Sequence, residues 1–172
     1  MYSTLQYMNC QYYIGKIHIL ITTKTANNRD IVRIPTRIKI ATGTYIFQSN
    51  RSAFNKNKVS PTCKLCNMSP EILSHFLLTC ESLETDRKRL MEIIVDRDSE
   101  LLATSCFEEE VDLVQLIDNP FYYTIDKRHR NRNLSIAGQL EGVCRKLLNN
   151  LHMKRYELLI KQQKCDKKNN LS

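Results

Sequence analysis

Three cysteines and one histidine lie close together in the middle of the chain, and this cluster constrains the fold more than any other feature. Cys63, Cys66, His75 and Cys80 follow the spacing C-x2-C-x8-H-x4-C. Thiolate and imidazole ligands at such spacing are typical of tetrahedral Zn²⁺ in structural sites. Since protein side chains would fill all four positions, none would remain for a substrate water. The sequence therefore predicts one structural Zn²⁺ as the cofactor.

The residues between the ligands predict how the chain returns to the metal. Ser69 is a candidate N-cap and Pro70 a candidate first helical residue, so we expect a short helix carrying His75 to begin there. His75 and Cys80 are five residues apart, which on an ideal α-helix separates their side chains by about 140°. The helix must therefore end or loosen near Leu78 for both side chains to reach one ion.

The sequence around the cluster resembles the reverse-transcriptase zinc-binding domain. The resemblance is specific over residues 33–90, and it is carried by residues 37–43 (R-I-K-I-A-T-G), residues 45–54 (Y-I-F-Q-S-N-R-S-A-F), the Cys/His cluster, Glu71, Phe76, Leu77, Leu83 and Arg87. In non-LTR retrotransposons this domain lies downstream of the polymerase. The resemblance implies a module that helps to hold template RNA or target DNA, and it covers no part of a polymerase.

Charge is distributed unevenly along the chain. Residues 1–58 hold nine Lys or Arg against one acid, residues 59–126 five against fourteen, and residues 127–172 twelve against three. Basic ends indicate a phosphate-binding surface, although they would equally arise if both ends paired with the acidic middle. The candidate contacts to RNA or DNA are basic side chains on either side of the acidic segment: Arg33, Arg37, Lys39, Arg51, Lys56, Lys58, Lys127, Arg128, Arg130 and Arg132.

The basic run at residues 127–132 stands immediately before a long predicted helix. Leu134, Leu140, Leu147 and Leu158 recur at helical spacing, so residues 133 to about 164 should form one amphipathic helix or two short-linked ones. Cations are disfavoured at a helix N-terminus by about 0.3–1 kcal/mol each. Helix stability therefore does not explain the run, whereas a phosphate partner, a nuclear-import signal or a solvated loop would.

The fold class predicted is mainly α, a small helical domain organised round the zinc site with a long C-terminal helix. Further helices are expected from Pro35 to Gly43, over residues 45–54, after Cys80, and from a capping box at residues 105–108 through Ile117. Residues 12–23 are candidates for a strand. The predicted divisions are an N-terminal extension (1–30), the zinc-binding domain (31–100), a helical C-terminal region (101–165) and a disordered tail (166–172).

The motif inventory predicts no catalytic activity. The polymerase Tyr-x-Asp-Asp motif is approached only at residues 123–126 (Y-T-I-D), and Lys127 follows, so no carboxylate pair is available for two Mg²⁺ ions. Cys10, Cys106, Cys144 and Cys165 have no neighbouring histidine in the sequence. Spatial pairing of one of these cysteines with a histidine remains an alternative.

The remaining expectations concern location and partners. Seven cysteines, three of them assigned to zinc, do not form the even framework of a small secreted domain, which indicates a reducing, intracellular environment. We expect no signal peptide, no membrane span and no small-molecule substrate. Two functions fit: a zinc-stabilised nucleic-acid-binding module detached from a retroelement reverse transcriptase, or a zinc-built protein-interaction or scaffolding domain with no nucleic-acid role.

Overall fold

The structure, a computed structural model, describes residues 28–104, 111–124 and 130–169. These residues are mainly helical, as the sequence predicts, and they include one isolated β-bridge but no strand. The helices are α1 (Asn28–Ile31), α2 (Ile34–Ala41), α3 (Gln48–Phe54), α4 (Glu84–Thr104), α5 (Leu113–Asp118) and α6 (Arg130–Asn169), with a π-helix at His75–Thr79 and 3₁₀-helices at Glu81–Leu83 and Pro120–Thr124. The candidate strand at residues 12–23 lies outside the described residues.

The chain divides into two compact units. Among the described residues, unit 1 comprises 28–45, 89–104, 111–124 and 130–148, and unit 2 comprises 46–88 and 149–169. Helix α4 supplies residues 84–88 to unit 2 and the rest to unit 1, and helix α6 supplies residues 130–148 to unit 1 and the rest to unit 2. The segment boundaries expected from the sequence remain a prediction.

Helix α2 in unit 1 begins and ends where the sequence predicts. Pro35 occupies its first turn, where a missing N–H costs no hydrogen bond. The helix ends before Gly43, whose φ of 69° is readily adopted only by glycine. One face of the helix, including Ile40 and Ala41, is buried in the unit 1 core.

Helix α5 differs from its prediction. Asp112 is its N-cap, and the carboxylate accepts hydrogen bonds from the backbone N–H groups of Val114 (2.8 Å) and Gln115 (3.3 Å). Residues 111 and 112 are not helical, so the prediction of one continuous helix from residue 105 through Ile117 is wrong at these two residues. Ser105 and Glu108 of the expected capping box lie outside the described residues. Asp112 caps the part of the helix that the structure describes.

Helix α6 confirms the long C-terminal helix. In unit 1 its buried positions include Ala137, Leu140, Cys144 and Leu147, all fully inaccessible to solvent. The helix continues through residues 166–169, part of the segment predicted as a disordered tail. Among the residues that the structure describes, no helix combines the length and apolar character needed to span a bilayer.

Unit 2 contains the Cys/His cluster between α3 and α4. Residues 61–71 fold back on themselves through an antiparallel bridge between Thr62 and Pro70, and the π-helix follows. Phe47 packs against Phe76 with ring centroids 5.6 Å apart, and Phe76 and Leu77 are fully buried. The apolar core of this small unit therefore lies against the segment that carries the cluster.

Candidate metal centre

The four predicted ligands come together in unit 2. The sulfur or ring-nitrogen atoms of Cys63, Cys66, His75 and Cys80 all lie within 4.8 Å of one another. Cys63 Sγ is 3.9 Å from Cys80 Sγ, and Cys66 Sγ is 3.4 Å from His75 Nε2. Tetrahedral coordination with usual Zn–S and Zn–N bond lengths requires edges of about 3.8 Å and about 3.5 Å respectively. The cluster therefore has the dimensions of one tetrahedral metal site.

A tight turn presents the first two cysteines. The Cys63 N–H donates to the Ser69 carbonyl (2.8 Å), and the Asn67 N–H donates to the Cys63 carbonyl (2.9 Å). Asn67 adopts a φ of 57°, a left-handed conformation that asparagine tolerates better than most residues. The turn therefore folds Cys63 and Cys66 onto the same side of the loop.

The π-helix presents the other two ligands. The Cys80 N–H donates to the His75 carbonyl (2.9 Å), a hydrogen bond between residues five apart. This wider turn brings Cys80 closer to the side of His75 than an α-helix would. Cys80 then leaves the helix in an extended conformation, so the loosening expected near Leu78 is confirmed.

The predicted helix start at Ser69 and Pro70 is wrong. Pro70 takes part in the bridge to Thr62, and helical residues begin only at Leu73. Ser69 is not an N-cap, and its hydroxyl lies instead 2.8 Å from Nδ1 of His75. Residues 61–71 fold back on themselves and do not form the helix that Ser69 and Pro70 predict. This fold-back places the cysteine turn beside His75.

The hydrogen bonds of His75 define which ring nitrogen can bind a metal. Nδ1 lies 2.8 Å from the Ser69 hydroxyl and 3.0 Å from the Thr79 hydroxyl, whereas Nε2 lies beside Cys66 Sγ. A metal-binding imidazole characteristically uses its second nitrogen to donate to a neighbouring polar group. The geometry therefore assigns Nε2 as the ligand atom and Nδ1–H as the donor.

Cys63 and Cys80 form a buried, hydrogen-bonded pair of thiols whose pKa values are shifted in opposite directions. The hydrogen bond with Cys80 lowers the pKa of Cys63 to about 4, against the opposing effect of burial. The same interaction raises the pKa of Cys80, because the pair shares one proton when no cation is bound. Cys63 and Cys80 are each 1% exposed. Two sulfurs this close in a buried site are best accommodated as thiolates bound to a cation.

Arg87 stabilises the C-terminal end of the π-helix. Its guanidinium donates to the carbonyls of Leu78 (2.6 Å) and Cys80 (2.7 Å), and it pairs with Glu84 at 3.0 Å. The side chain is 5% exposed, and burial lowers the pKa of Arg87. The carbonyls left without helical partners where the π-helix ends are thus satisfied by one arginine from α4.

Glu71 connects the metal loop, defined as residues 61–80, to two helices of unit 2. Its carboxylate accepts from the Gln48 N–H (2.7 Å) at the start of α3 and from Arg155 Nε (2.6 Å) and Nη2 (2.8 Å) on α6. A further hydrogen bond joins Gln162 on α6 to the Lys64 carbonyl (2.9 Å). This role of Glu71 is not among the predictions from the sequence. One feature of the sequence points to it, since Glu71 is the sole acidic residue between Asp30 and Glu81.

Arg37 is the clearest correction among the predicted nucleic-acid contacts. It is 2% exposed, and its Nε and Nη2 donate to the two carboxylate oxygens of Glu141 at 3.0 Å each. Nη1 also pairs with Asp118 at 3.5 Å. The prediction that Arg37 contacts nucleic acid is therefore wrong, because its charge is neutralised by Glu141 and Asp118, which lie far away in the sequence.

The other predicted basic residues divide between the two units. In unit 1, Arg33 is half-buried and pairs with Asp30 at 2.7 Å, while Lys39 and Arg132 are exposed. In unit 2, Arg51, Lys56 and Lys58 are exposed. Lys127, Arg128 and the side chain of Arg130 lie outside the described part of the chain. Exposed Lys64, between the two cysteines of the turn, was not among the predicted contacts.

Comparison with known proteins returns no relative. No family model matches the chain, no curated protein is significantly similar to it, and no solved structure matches its fold.

Proposed function

We propose that the chain is a zinc-stabilised nucleic-acid-binding module of the reverse-transcriptase zinc-binding type. The observation that carries this proposal is the cluster of three sulfurs and one imidazole nitrogen, which all lie within 4.8 Å of one another. Three thiolates select a soft or borderline divalent ion, and Zn²⁺ is the common ion at such closed sites. Four protein ligands leave no coordination position for a reacting water, which supports a structural role without catalysis.

The charge of the metal-binding segment supports a polyanionic partner. From residue 31 to residue 70 the chain contains no acidic residue and seven Lys or Arg. Of these seven, only Arg37 is buried and only Arg33 and Arg37 have an acid partner among the residues described. A solvent-exposed excess of cations beside a rigid metal-bound loop favours binding to phosphates.

A second candidate is a zinc-built scaffolding domain with no nucleic-acid role. The burial of Arg37 and the pairing of Arg33 favour it, since they show that part of the basic charge serves the fold. The two candidates differ in one measurable property. A nucleic-acid-binding module has an affinity that falls steeply with salt, whereas a scaffold has no such affinity.

The test is a salt titration of the zinc-loaded full chain with labelled RNA and DNA. A parallel variant replaces Lys127, Arg128, Arg130 and Arg132 with Gln. Each lost phosphate contact reduces the slope of log affinity against log salt by about 0.7 on single strands and about 0.9 on duplex DNA, so the variant's slope should be flatter by roughly 3–4. Absence of binding by the parent at low salt would favour the scaffold.

A further inference from the structure

We propose that the C-terminal end of helix α3 and the turn after it bind single-stranded nucleic acid, with Phe54 stacking on a base. This inference rests on the proposed function and adds to it the binding surface and the strand state of the partner. The surface, called the α3 end, comprises Arg51, Phe54, Lys56 and Lys58. All four residues are exposed.

The cations of the α3 end lie in a segment of unit 2 that contains no acidic residue. Residues 46–70 contain Arg51, Lys56, Lys58 and Lys64 and no acid. None of the four cations pairs with an acidic group among the residues that the structure describes. A row of unneutralised cations along a short helix end and its turn is complementary to consecutive phosphates.

Phe54 supplies the apolar part of the surface. It is the last residue of α3 and is 68% exposed, although phenylalanine side chains are ordinarily buried. Arg51 precedes it by three residues, so both side chains project from the same side of the helix. An exposed aromatic ring beside cations is the usual arrangement for stacking an unpaired base while its phosphates are neutralised. Bases within a duplex do not offer a face for such stacking.

Lys56 occupies a position where a lysine is structurally unfavourable. The Lys56 N–H donates to the Ala53 carbonyl (3.2 Å), and the Asn57 N–H donates to the Ser52 carbonyl (2.8 Å). This pair of hydrogen bonds forms a Schellman motif, whose left-handed residue is usually glycine. Here that residue is Lys56, with a φ of 49°. A side chain kept at a conformational cost indicates a role for its charge outside the fold.

The experiment compares binding of the zinc-loaded full chain to labelled oligonucleotides of about 12 nucleotides, a length that matches single-strand site sizes. The probes are single-stranded RNA, single-stranded DNA and duplex DNA of one sequence. The parent should bind at least one single strand more tightly than the duplex. Phe54→Leu should weaken single-strand binding roughly 5- to 150-fold, and Phe54→Tyr should retain it, because only the aromatic ring stacks.

Lys56→Gly separates binding from folding. Glycine relieves the left-handed backbone, so the variant should unfold at a temperature equal to or above that of the parent. Its salt slope on single strands should nevertheless be flatter by about 0.7. Lys161→Gln is the charge-matched control, because Lys161 is already paired with Glu157 at 2.5 Å, and its slope should equal that of the parent.

The outcomes distinguish the inference from the proposed function. If the parent binds nucleic acid but prefers the duplex, or if Phe54→Leu and Lys56→Gly bind like the parent, the inference is overturned while the proposed function stands. If the parent binds none of the three probes at low salt, both fail together.

Discussion

At the scale of single residues, Arg37 lies in a buried cluster of charged side chains in unit 1. It lies in a basic segment without nearby acids, yet its guanidinium is bound to Glu141 on α6 and Asp118 on α5. Burial alone would lower the pKa of Arg37, but the two carboxylates outweigh burial and raise it. Burial raises the pKa of Asp118 to about 6, against the opposing effect of Arg37. Buried Arg145 also pairs with Glu141, at 3.4 Å, so the cluster contains two arginines and two carboxylates.

Removing the cation should destabilise unit 1 strongly. Arg37→Met leaves the carboxylates of Glu141 and Asp118 buried without their main partner, and we expect a loss of about 3–5 kcal/mol in the free energy of unfolding. Urea denaturation followed by circular dichroism measures it.

Arg33→Met is the matched control, since it removes a part-exposed pair with Asp30 three residues away and should cost no more than about 1 kcal/mol. The double change Arg37→Met with Glu141→Met should recover part of the loss. Equal costs for Arg37→Met and Arg33→Met would contradict this account of the cluster.

At the scale of elements, two charged side chains, Glu71 and Arg87, attach the metal loop to the helices of unit 2. Arg87 from α4 holds the carbonyls after the π-helix, and Glu71 joins the loop to α3 and α6. Glu71 has an exposed fraction of only 4%, and its contact with Arg155 is bidentate. Charge-assisted pairs of this geometry are among the stronger interactions in proteins. The C-terminal part of α6 therefore depends on Glu71 for its attachment.

Breaking this attachment should release the end of α6. Arg155→Met leaves Glu71 buried without its charged partner, and we expect about 2–4 kcal/mol of destabilisation with faster amide hydrogen exchange over residues 155–167.

Lys154→Met is the control, because Lys154 is part-exposed and pairs with Glu157 at a distance of 3.6 Å. It should change exchange rates little. Hydrogen exchange followed by mass spectrometry distinguishes the two variants, and equal protection in both would show that Glu71 does not hold α6.

Elements were predictable from sequence where local chemistry defines them. Pro35 and Gly43 bound α2, leucine spacing predicted α6, and the ligand spacing required the chain to loosen between His75 and Cys80. Elements defined by distant contacts were not predictable. Because Pro70 pairs with Thr62, the helix begins at Leu73 and not at the predicted Pro70. The pairing of Glu71 with Arg155 joins residues 84 positions apart.

At the scale of the whole molecule, unit 2 is the part whose stability we expect to depend most on a bound metal ion. Its described residues are 46–88 and 149–169. Units below roughly 70–80 residues seldom bury enough apolar surface to fold without a disulfide, a structural metal or another cross-link. Structural Zn²⁺ in finger peptides contributes about 10–16 kcal/mol of apparent binding free energy near neutral pH. This contribution is as large as the stability of an entire ordinary domain.

The most direct test of the central claim is the metal content of the purified chain. We expect one zinc ion per chain, bound through Cys63, Cys66, Cys80 and Nε2 of His75. Cys66→Ser and His75→Ala should each lose most of the zinc, whereas Cys165→Ser, which changes an exposed cysteine on α6, should retain it. Elemental analysis of the four proteins after dialysis gives the answer. A zinc content near zero in the parent, or the same content in all four, would contradict the account.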